Sequence, residues 1–289
     1  MFTKLKKFVL ACLITCITFA ACSTQKQFDK ILKVHFIDIG QGDSILIQYN
    51  TKTMLIDTGP KEKKNELIEY LDSQKIRKID YLILTHQHND HIGNASKVIK
   101  EYDIGMLYMP DVTSNSNEFE SMTDAINNRK IKTTTPIPGS SFSFGDVQCL
   151  ILAPNSKEYE NENDYSIVIK MTYKNTSFLF TGDAQFYSEN EMINKGNDLS
   201  ADVLKIGQHG NDKATSEEFL SHVNPKYAAL SCAKNDSNDH PSKTTMKLLK
   251  SKNIPVFRTD ECGTILCTSD GEIITFDKEP GDYKHGKNN

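Results

Sequence analysis

Apolar and polar positions along this chain switch between two periods, and the switches mark its elements. Strand-like runs begin at residues 34–39 and continue at 44–49 and 53–56, the last two separated by Asn50-Thr51-Lys52, a polar break of hairpin length. Leu67, Ile68 and Leu71 then recur at helical spacing. Residues 79–84 form a short run that is apolar but for Asp80, which predicts a strand buried on both faces. A helix follows, with Ile92, Ala95, Val98 and Ile99 on one side. The stretch 111–130, rich in Asn, Ser and acids, predicts one short helix within a surface insertion.

The second half repeats this alternation. Residues 167–171 and 177–180 read as adjacent strands and 203–206 as another. Thr215 and Glu218 have capping-box spacing ahead of Phe219, Leu220 and Val223. Pro241 suits the first position of a helix running through Met246 and Leu249. No short-period repeat is present, and two sheets sandwiched between helices is the economical arrangement of such a mixture.

The first 21 residues stand apart. They contain Lys4, Lys6 and Lys7, then an apolar run over 8–20, and no acidic residue, which is the layout of a secretory signal. The run is shorter than the roughly 20 residues of a membrane span. It closes on Phe19-Ala20-Ala21-Cys22-Ser23, which resembles the cleavage-and-lipidation box of bacterial lipoproteins, with Phe19 where Leu is usual. The resemblance implies a signal peptide at 1–21, a lipid-bearing Cys22 opening a tether at 22–30, a body at 31–277 and a polar tail at 278–289. The body is then expected on the extracellular face of the cell membrane, lipid-anchored. An uncleaved N-terminal anchor or an ordinary secreted product are the alternatives, and both also place the body outside the cytoplasm.

Composition narrows the class further. A hydrophobic content of 38% with 34 basic and 38 acidic residues describes ordinary globular protein and excludes collagen-like and disordered chains. Loss of the three leader lysines leaves 31 basic against 38 acidic residues, a net −7, which gives no support to non-specific capture of nucleic acid. A local basic groove including Lys243, Lys247 and Lys250 is the feature that would override it. Beyond the leader lie Cys149, Cys232, Cys262 and Cys267, without zinc-ribbon spacing. Cys262 and Cys267 can bridge across a hairpin, or all four are unpaired small hydrophobes.

Thr85-His86-Gln87-His88-Asn89-Asp90-His91 places three of the eight histidines in six residues directly after an apolar strand. Beyond a strand end, residues two apart point the same way, so His86 and His88 can share one ion while Asp90 and His91 face a second. A solvated, His-rich loop is the plain alternative. Leu55-Ile56-Asp57-Thr58-Gly59 precedes this stretch, and Thr181-Gly182-Asp183 and Gly207-Gln208-His209-Gly210 follow it. The set resembles the metallo-β-lactamase-fold hydrolase superfamily over most of residues 31–277. That resemblance implies an α/β fold, a four-layer αβ/βα sandwich with a metal site at one edge, and two divalent metal ions, Zn or Mn.

Carried onto this chain, the resemblance makes His86 and His88 ligands of the first metal, Asp90 and His91 ligands of the second, and Asp183 the bridging carboxylate. His209 is the last histidine of the second site, beside Gln208 where related sequences often have another His. Asp57 supports the site loops through hydrogen bonds. The first metal's usual third histidine has no counterpart in residues 160–166, where Asp164 is the expected substitute. An oxygen ligand there favours a harder ion such as Mn²⁺ over Zn²⁺, or leaves that site weakly occupied.

Residues 36–44 (Phe-Ile-Asp-Ile-Gly-Gln-Gly-Asp-Ser), the Asn163-Asp164-Tyr165-Ser166 turn, Asp239-His240-Pro241-Ser242 and residues 258–264 together resemble the hydrolase domain of ComEC-type DNA-uptake proteins, here expected as a stand-alone, surface-tethered relative. In isolation, a His before Pro supplies backbone geometry or satisfies a carbonyl. Within the resemblance, His240 approaches the substrate side of the metals, where it binds a phosphate oxygen or protonates a leaving group. Asp90 or Asp183 orients the attacking water. The expected activity is a phosphodiesterase or nuclease acting on DNA or another phosphodiester polymer, with the membrane reached through the lipid anchor and no obligate protein partner readable. A phosphorylcholine or teichoic-acid phosphodiesterase is the second expectation and a β-lactamase or lactonase the third. A non-catalytic DNA- or envelope-polymer-binding protein is the alternative from another class.

Overall fold

The antiparallel start of the chain is built by strands Leu32–Phe36 (β1), Ile45–Tyr49 (β2) and Lys52–Ile56 (β3), with Ile45 opposite both Phe36 and Ile56. A computed structural model describes residues 30–234, 236 and 238–286. The expected signal peptide, Cys22 and the tether through residue 29 lie outside the described residues. From β3 the sheet turns parallel through Lys78–Ile83 (β4), Asp103–Tyr108 (β5) and Thr133–Thr134 (β6). Ile265–Ser269 (β14) and Ile274–Phe276 (β15) close its other side, giving the order β15-β14-β1-β2-β3-β4-β5-β6.

The second sheet follows the same plan. Ser141–Phe144 (β7), Val147–Ala153 (β8), Val168–Tyr173 (β9) and Thr176–Phe180 (β10) are antiparallel, and Val203–Lys205 (β11), Tyr227–Leu230 (β12) and Val256–Arg258 (β13) continue β10 in parallel. Between the sheets lies an apolar layer with Val34, Phe36, Ile47, Met54, Phe144, Ile169, Phe178 and Phe180 at its centre. The outer face of the first sheet is covered by helices Lys64–Ser73 (α1), Asn89–Ile92 (α2), Ala95–Glu101 (α3) and Asn117–Arg129 (α4). Phe186–Asn194 (α5), Glu217–Val223 (α6) and Lys243–Ser251 (α7) cover the second. The four-layer αβ/βα sandwich is the outcome. No helix among the described residues is long and apolar enough to cross a membrane.

Strand β4 shows why its sequence carries apolar residues for both faces, since Ile79 and Leu82 point into the helical layer and Ile83 into the layer between the sheets. Three local readings change. The stretch 111–130 carries a thirteen-residue helix, α4, whose Met122, Ala125 and Ile126 join the core, so its polar composition reflects one face only. Ser216, not Thr215, caps α6 by accepting the Phe219 N–H, while the Thr215 hydroxyl accepts the Gly207 N–H instead. Likewise Ser242, not Pro241, stands before α7 and accepts the Thr245 N–H. Cys149, Cys232, Cys262 and Cys267 are all free; Cys267 is spent on the core between the sheets, not on a bridge.

The polar stretch after residue 277 is tied down by fully buried Arg258, which donates to the carbonyls of Lys284 at 2.6 Å and Asp282 at 3.3 Å. Gly286 N–H then reaches the Pro241 carbonyl.

Glu189 of α5 accepts the backbone N–H groups of Thr215 and Ser216, yet burial pushes its carboxyl up to about 7. A folded-state value above the ordinary one means the protonated form stabilises the fold below the unfolded value, and that contribution disappears as pH rises through about 7. Glu189→Gln, neutral throughout, is therefore expected to gain stability relative to the wild type between about pH 5 and 8, by about 3 kcal/mol at most. Urea denaturation across that range checks it, and parallel curves would refute it.

Candidate metal centre

Both sheets send the carboxyl ends of their parallel strands to the same edge of the sandwich, where open α/β architectures place their ligands. Asp57 follows β3, Thr85 to His91 follow β4, Thr181 to Asp183 follow β10 and Gly207 to Gly210 follow β11. Asp57 is fully buried and accepts from the Thr85 N–H (2.8 Å), the Thr85 hydroxyl (2.6 Å) and His91 Nδ1 (2.8 Å). It thereby fixes two loops to each other, as expected of it.

Close approach decides one glycine. A Cβ on Gly42, at φ +133°, would stand 2.2 Å from the Asp90 carbonyl oxygen, and the Asp43 N–H donates to that same oxygen. Gln208 and His209 hold left-handed backbone at φ 43° and 52°, a strained conformation for residues with a Cβ and one that concentrates at functional sites. The Gln208 N–H to the Gly182 carbonyl and the Gln185 amide on the Gln208 amide hold it there.

Two groups of donor atoms result. Asp90, His91, Asp183 and His209 each bring one ligand atom within 4.8 Å of the others, and His86, His88 and Asp183 do the same. Asp183 belongs to both. Each imidazole has its outer nitrogen engaged: His86 Nδ1 by the Thr85 hydroxyl, His88 Nε2 by Glu162 at 3.0 Å, His91 Nδ1 by Asp57 and His209 Nδ1 by the Ser231 carbonyl at 3.1 Å. Among the inner atoms, His86 Nε2 and His88 Nδ1 lie 3.0 Å apart, and three others are bare. His91 Nε2, His209 Nε2 and Asp183 Oδ1 are buried without a hydrogen-bond partner, which is costly unless a cation completes them. Imidazole nitrogens oriented from behind by carboxylates and carbonyls are how proteins present metal ligands.

Titration behaviour expresses the same demand for positive charge. Burial opposes charge on His91, but Asp183, Asp57 and Asp90 outweigh it and hold the imidazole well above its ordinary value. Burial likewise opposes charge on His209, which Asp183 and Asp90 keep raised. Burial also pushes Asp183 up, and His91 and His209 more than reverse it, holding the carboxyl well below the usual range. Burial, helped by His91, drives His86 well down. The residue set suits divalent cations held by nitrogen and oxygen.

Asp164 is not among these donors, and its expected role as a ligand is corrected. Its Oδ1 accepts the Gln185 N–H at 2.9 Å and the Ser188 N–H at 3.2 Å, so the carboxylate is consumed at the amino end of α5. Ser166 stands nearer the cluster, its hydroxyl accepting the Asp183 N–H and lying 3.4 Å from His86 Nδ1. The argument from an oxygen-rich first site to Mn²⁺ falls with Asp164.

His240 reaches the site edge, its ring centroid 6.3 Å from that of His209. Burial lowers its pKa, His209 adding to the effect, which keeps it neutral at physiological pH. The Gln41 amide lies 3.1 Å from Nδ1 and the Asn211 amide 2.8 Å from Nε2, and both amides are oriented by backbone N–H groups, of Ala233 and Lys213, that bond to their oxygens. Sequence reasoning assigned no role to Gln41, Asp43, Glu162, Lys205 or Asn211. A lysine inside the apolar strand Val203-Leu204-Lys205-Ile206 was the available signal. Lys243, Lys247 and Lys250 are exposed on one face of α7.

A family profile described as the metallo-beta-lactamase superfamily matches residues 37–234. The chain belongs to this superfamily. Among curated proteins it is similar to ComE operon protein 3 of Bacillus subtilis, at 32% identity over 266 residues that make up 86% of this chain and 34% of that protein. It is also similar to competence protein ComA of Neisseria gonorrhoeae, at 26% identity over 231 residues, 79% of this chain and 31% of that one. The chain thus spans about a third of the length of these relatives. Among solved structures it resembles the metallo-beta-lactamase fold protein YhfI of Bacillus subtilis, with a TM-score of 0.56 at 15% identity, over 85% of this chain and 99% of that chain. That likeness shows the fold. Membership of the superfamily, together with this donor cluster, supports a metal-dependent hydrolase.

Because Asp183 serves both groups, Asp183→Ala is expected to abolish metal retention, whereas His88→Ala is expected to spare the group of Asp90, His91 and His209. Elemental analysis after gel filtration reads this directly; equal metal content in the wild type and Asp183→Ala would exclude the assigned cluster.

Proposed function

We propose that this protein is a metal-dependent phosphodiesterase, acting on DNA or on another phosphodiester polymer at the outer face of the membrane, with a lipid on Cys22 as its anchor. The observation that carries the reading is the shared carboxylate: Asp183 stands between a His86–His88 pair and an Asp90–His91–His209 set, the arrangement of a site for two ions, Zn²⁺ or Mn²⁺. Two such ions, when bound, activate water and neutralise charge on a phosphoryl oxygen.

The protein's own residues supply the rest. Asp90 is the most open of the second group, its side chain one-third exposed (33%) against 4% for Asp183, so it is the carboxylate that can accept a hydrogen bond from the attacking water. His240, aimed at the edge of the cluster by Gln41 and Asn211, is the residue that donates its N–H to a phosphoryl oxygen. The exposed lysines of α7 give a phosphate backbone a local attraction despite the acidic net charge. ComEC-type relatives support DNA as the substrate.

One observation favours a phosphorylcholine or teichoic-acid diester instead. Beside Asp164 opens a cleft of about 330 Å³ lined by Tyr159, Tyr187, Glu158 and Glu160, and an acidic, aromatic cleft suits an organic cation better than a polyanion.

Bis-p-nitrophenyl phosphate and single-stranded DNA, offered with Mn²⁺, Zn²⁺ or chelator, test these readings. Turnover of both substrates is expected with metal, lost in Asp183→Ala, and lowered about 100-fold in His240→Ala while its metal stays bound. Turnover of the small diester alone would shift the substrate to the choline-type polymer, and no turnover by the metal-loaded protein would reject the hydrolase in favour of a binding protein. Cys22→Ala is expected to move the chain from the membrane fraction to the medium; persistence at the membrane would reject the lipid anchor.

A further inference from the structure

Lys205 and Asp43 form an ion pair with both side chains almost wholly buried, at 0% and 2% exposure. The pair crosses the sandwich. Lys205 ends β11 in the second sheet, and Asp43 lies in the loop between β1 and β2 of the first. Nothing in its burial favours stability: taking two charges out of water costs about as much as their attraction returns, and apolar replacement of a buried pair is often neutral or better.

Its contacts point to another role. The Asp43 N–H donates to the Asp90 carbonyl at 3.3 Å, and the Asp43 carbonyl accepts the Gly59 N–H at 2.8 Å. Asp43 Oδ1 lies 3.7 Å from His209 Nδ1 and belongs to a further group of close donor atoms with Asp57 and His91. Lys205 Nζ donates to the carbonyl of Gly182 at 3.2 Å, one residue before Asp183. One buried pair therefore reaches the loops or side chains of Asp90, His91, Asp183 and His209, the whole of the second donor group, from behind. Asp43 Oδ1 itself has no hydrogen-bond donor, so its charge faces the two imidazoles while its other oxygen is held by the ammonium.

We propose that Asp43 and Lys205 are a cross-sheet positioning pair that fixes the second metal position, setting the distance between loops from the two sheets and placing one negative charge behind His209 and His91. The inference rests on the metal centre proposed above and concerns its affinity for ions rather than its substrate. In that third group of acidic and imidazole atoms Asp43 already has the chain's own lysine as its cation, and the inner nitrogens of His91 and His209 face Asp183 on the other side.

The test uses the full chain carrying Asp43→Asn, Lys205→Met or both. Each single change leaves a buried charge unpaired and is expected to lower Tm, as any structural pair would. The double variant removes both charges and is expected to recover a Tm near the wild type. Its Zn²⁺ affinity at the second position, read by chelator competition, is still expected to fall 10- to 100-fold, and the Co²⁺ absorption spectrum to change. Wild-type affinity and an unchanged spectrum in a folded double variant would reduce the pair to a structural one and overturn the proposal. Should the double variant not fold, Lys205→Gln, one bond shorter, keeps a donor without the charge and gives the same reading: a loss of at least 10-fold supports the pair, and wild-type affinity rejects it. Because the readout is metal binding, a failure to turn over any phosphodiester would leave this result standing and strike only the activity.

Discussion

Burying Asp183 with Asp90 beside it, against imidazole nitrogens that no hydrogen bond satisfies, is the constraint around which this molecule is organised. Such nitrogens lose their hydration on folding and receive from the protein only the charge of carboxylate oxygens 3.3 to 3.6 Å away. Those carboxylates demand positive charge there, which is why both imidazoles are held above their ordinary pKa. A divalent cation meets the same demand with one particle and no N–H in the way. The cluster is thus unfavourable as protein structure alone, and its persistence requires that the surrounding fold be rigid enough to hold it together.

The sandwich provides that rigidity through its topology. Parallel strands must all end at one side, so the switch from antiparallel to parallel pairing at β3 and again at β10 delivers four loops to one edge without any long excursion. Hydrogen bonds then lock loop to loop: Asp57 to Thr85 and His91, the Ser166 hydroxyl to the Asp183 N–H, and the Ile167 N–H to the Thr85 carbonyl, which joins the two halves. The left-handed turn at Gln208 and His209 is tolerable only because so many neighbours determine it.

How much of this is legible in the sequence follows from the range over which each feature is decided. His86, His88, Asp90 and His91 lie within six residues after a strand, so local geometry alone aims them, and that part of the site could be read directly. The sandwich could be read because apolar runs report burial. Asp164 could not, since whether its carboxylate faces a metal or a helix terminus depends on where α5 begins, and that is settled by packing between segments distant in sequence. A contact from outside the helix also hides the capping of α6: Thr215 and Ser216 are both good caps, and the Gly207 N–H, eight residues earlier, occupies the Thr215 hydroxyl. Asp43 and Lys205 are 162 residues apart, and a lone charge in an apolar strand shows that a partner is needed without showing which.

The two donor groups are unequal, and the inequality bears on how the centre works. Around His86 and His88 only the shared Asp183 brings a carboxylate, and among the described residues none takes the ligand place that Asp164 does not fill. Around His91 and His209 two carboxylates contribute directly, and Asp57 and Asp43 stand behind the rings. Attraction for a cation is therefore concentrated at the second group. Because Asp183 belongs to both groups, a charge bound at one would reduce what that carboxylate offers the other, so it would couple the two positions in opposition as well as in proximity. The first group, which brings two imidazoles and the shared carboxylate, would hold a cation more weakly than the second, which adds a carboxylate of its own.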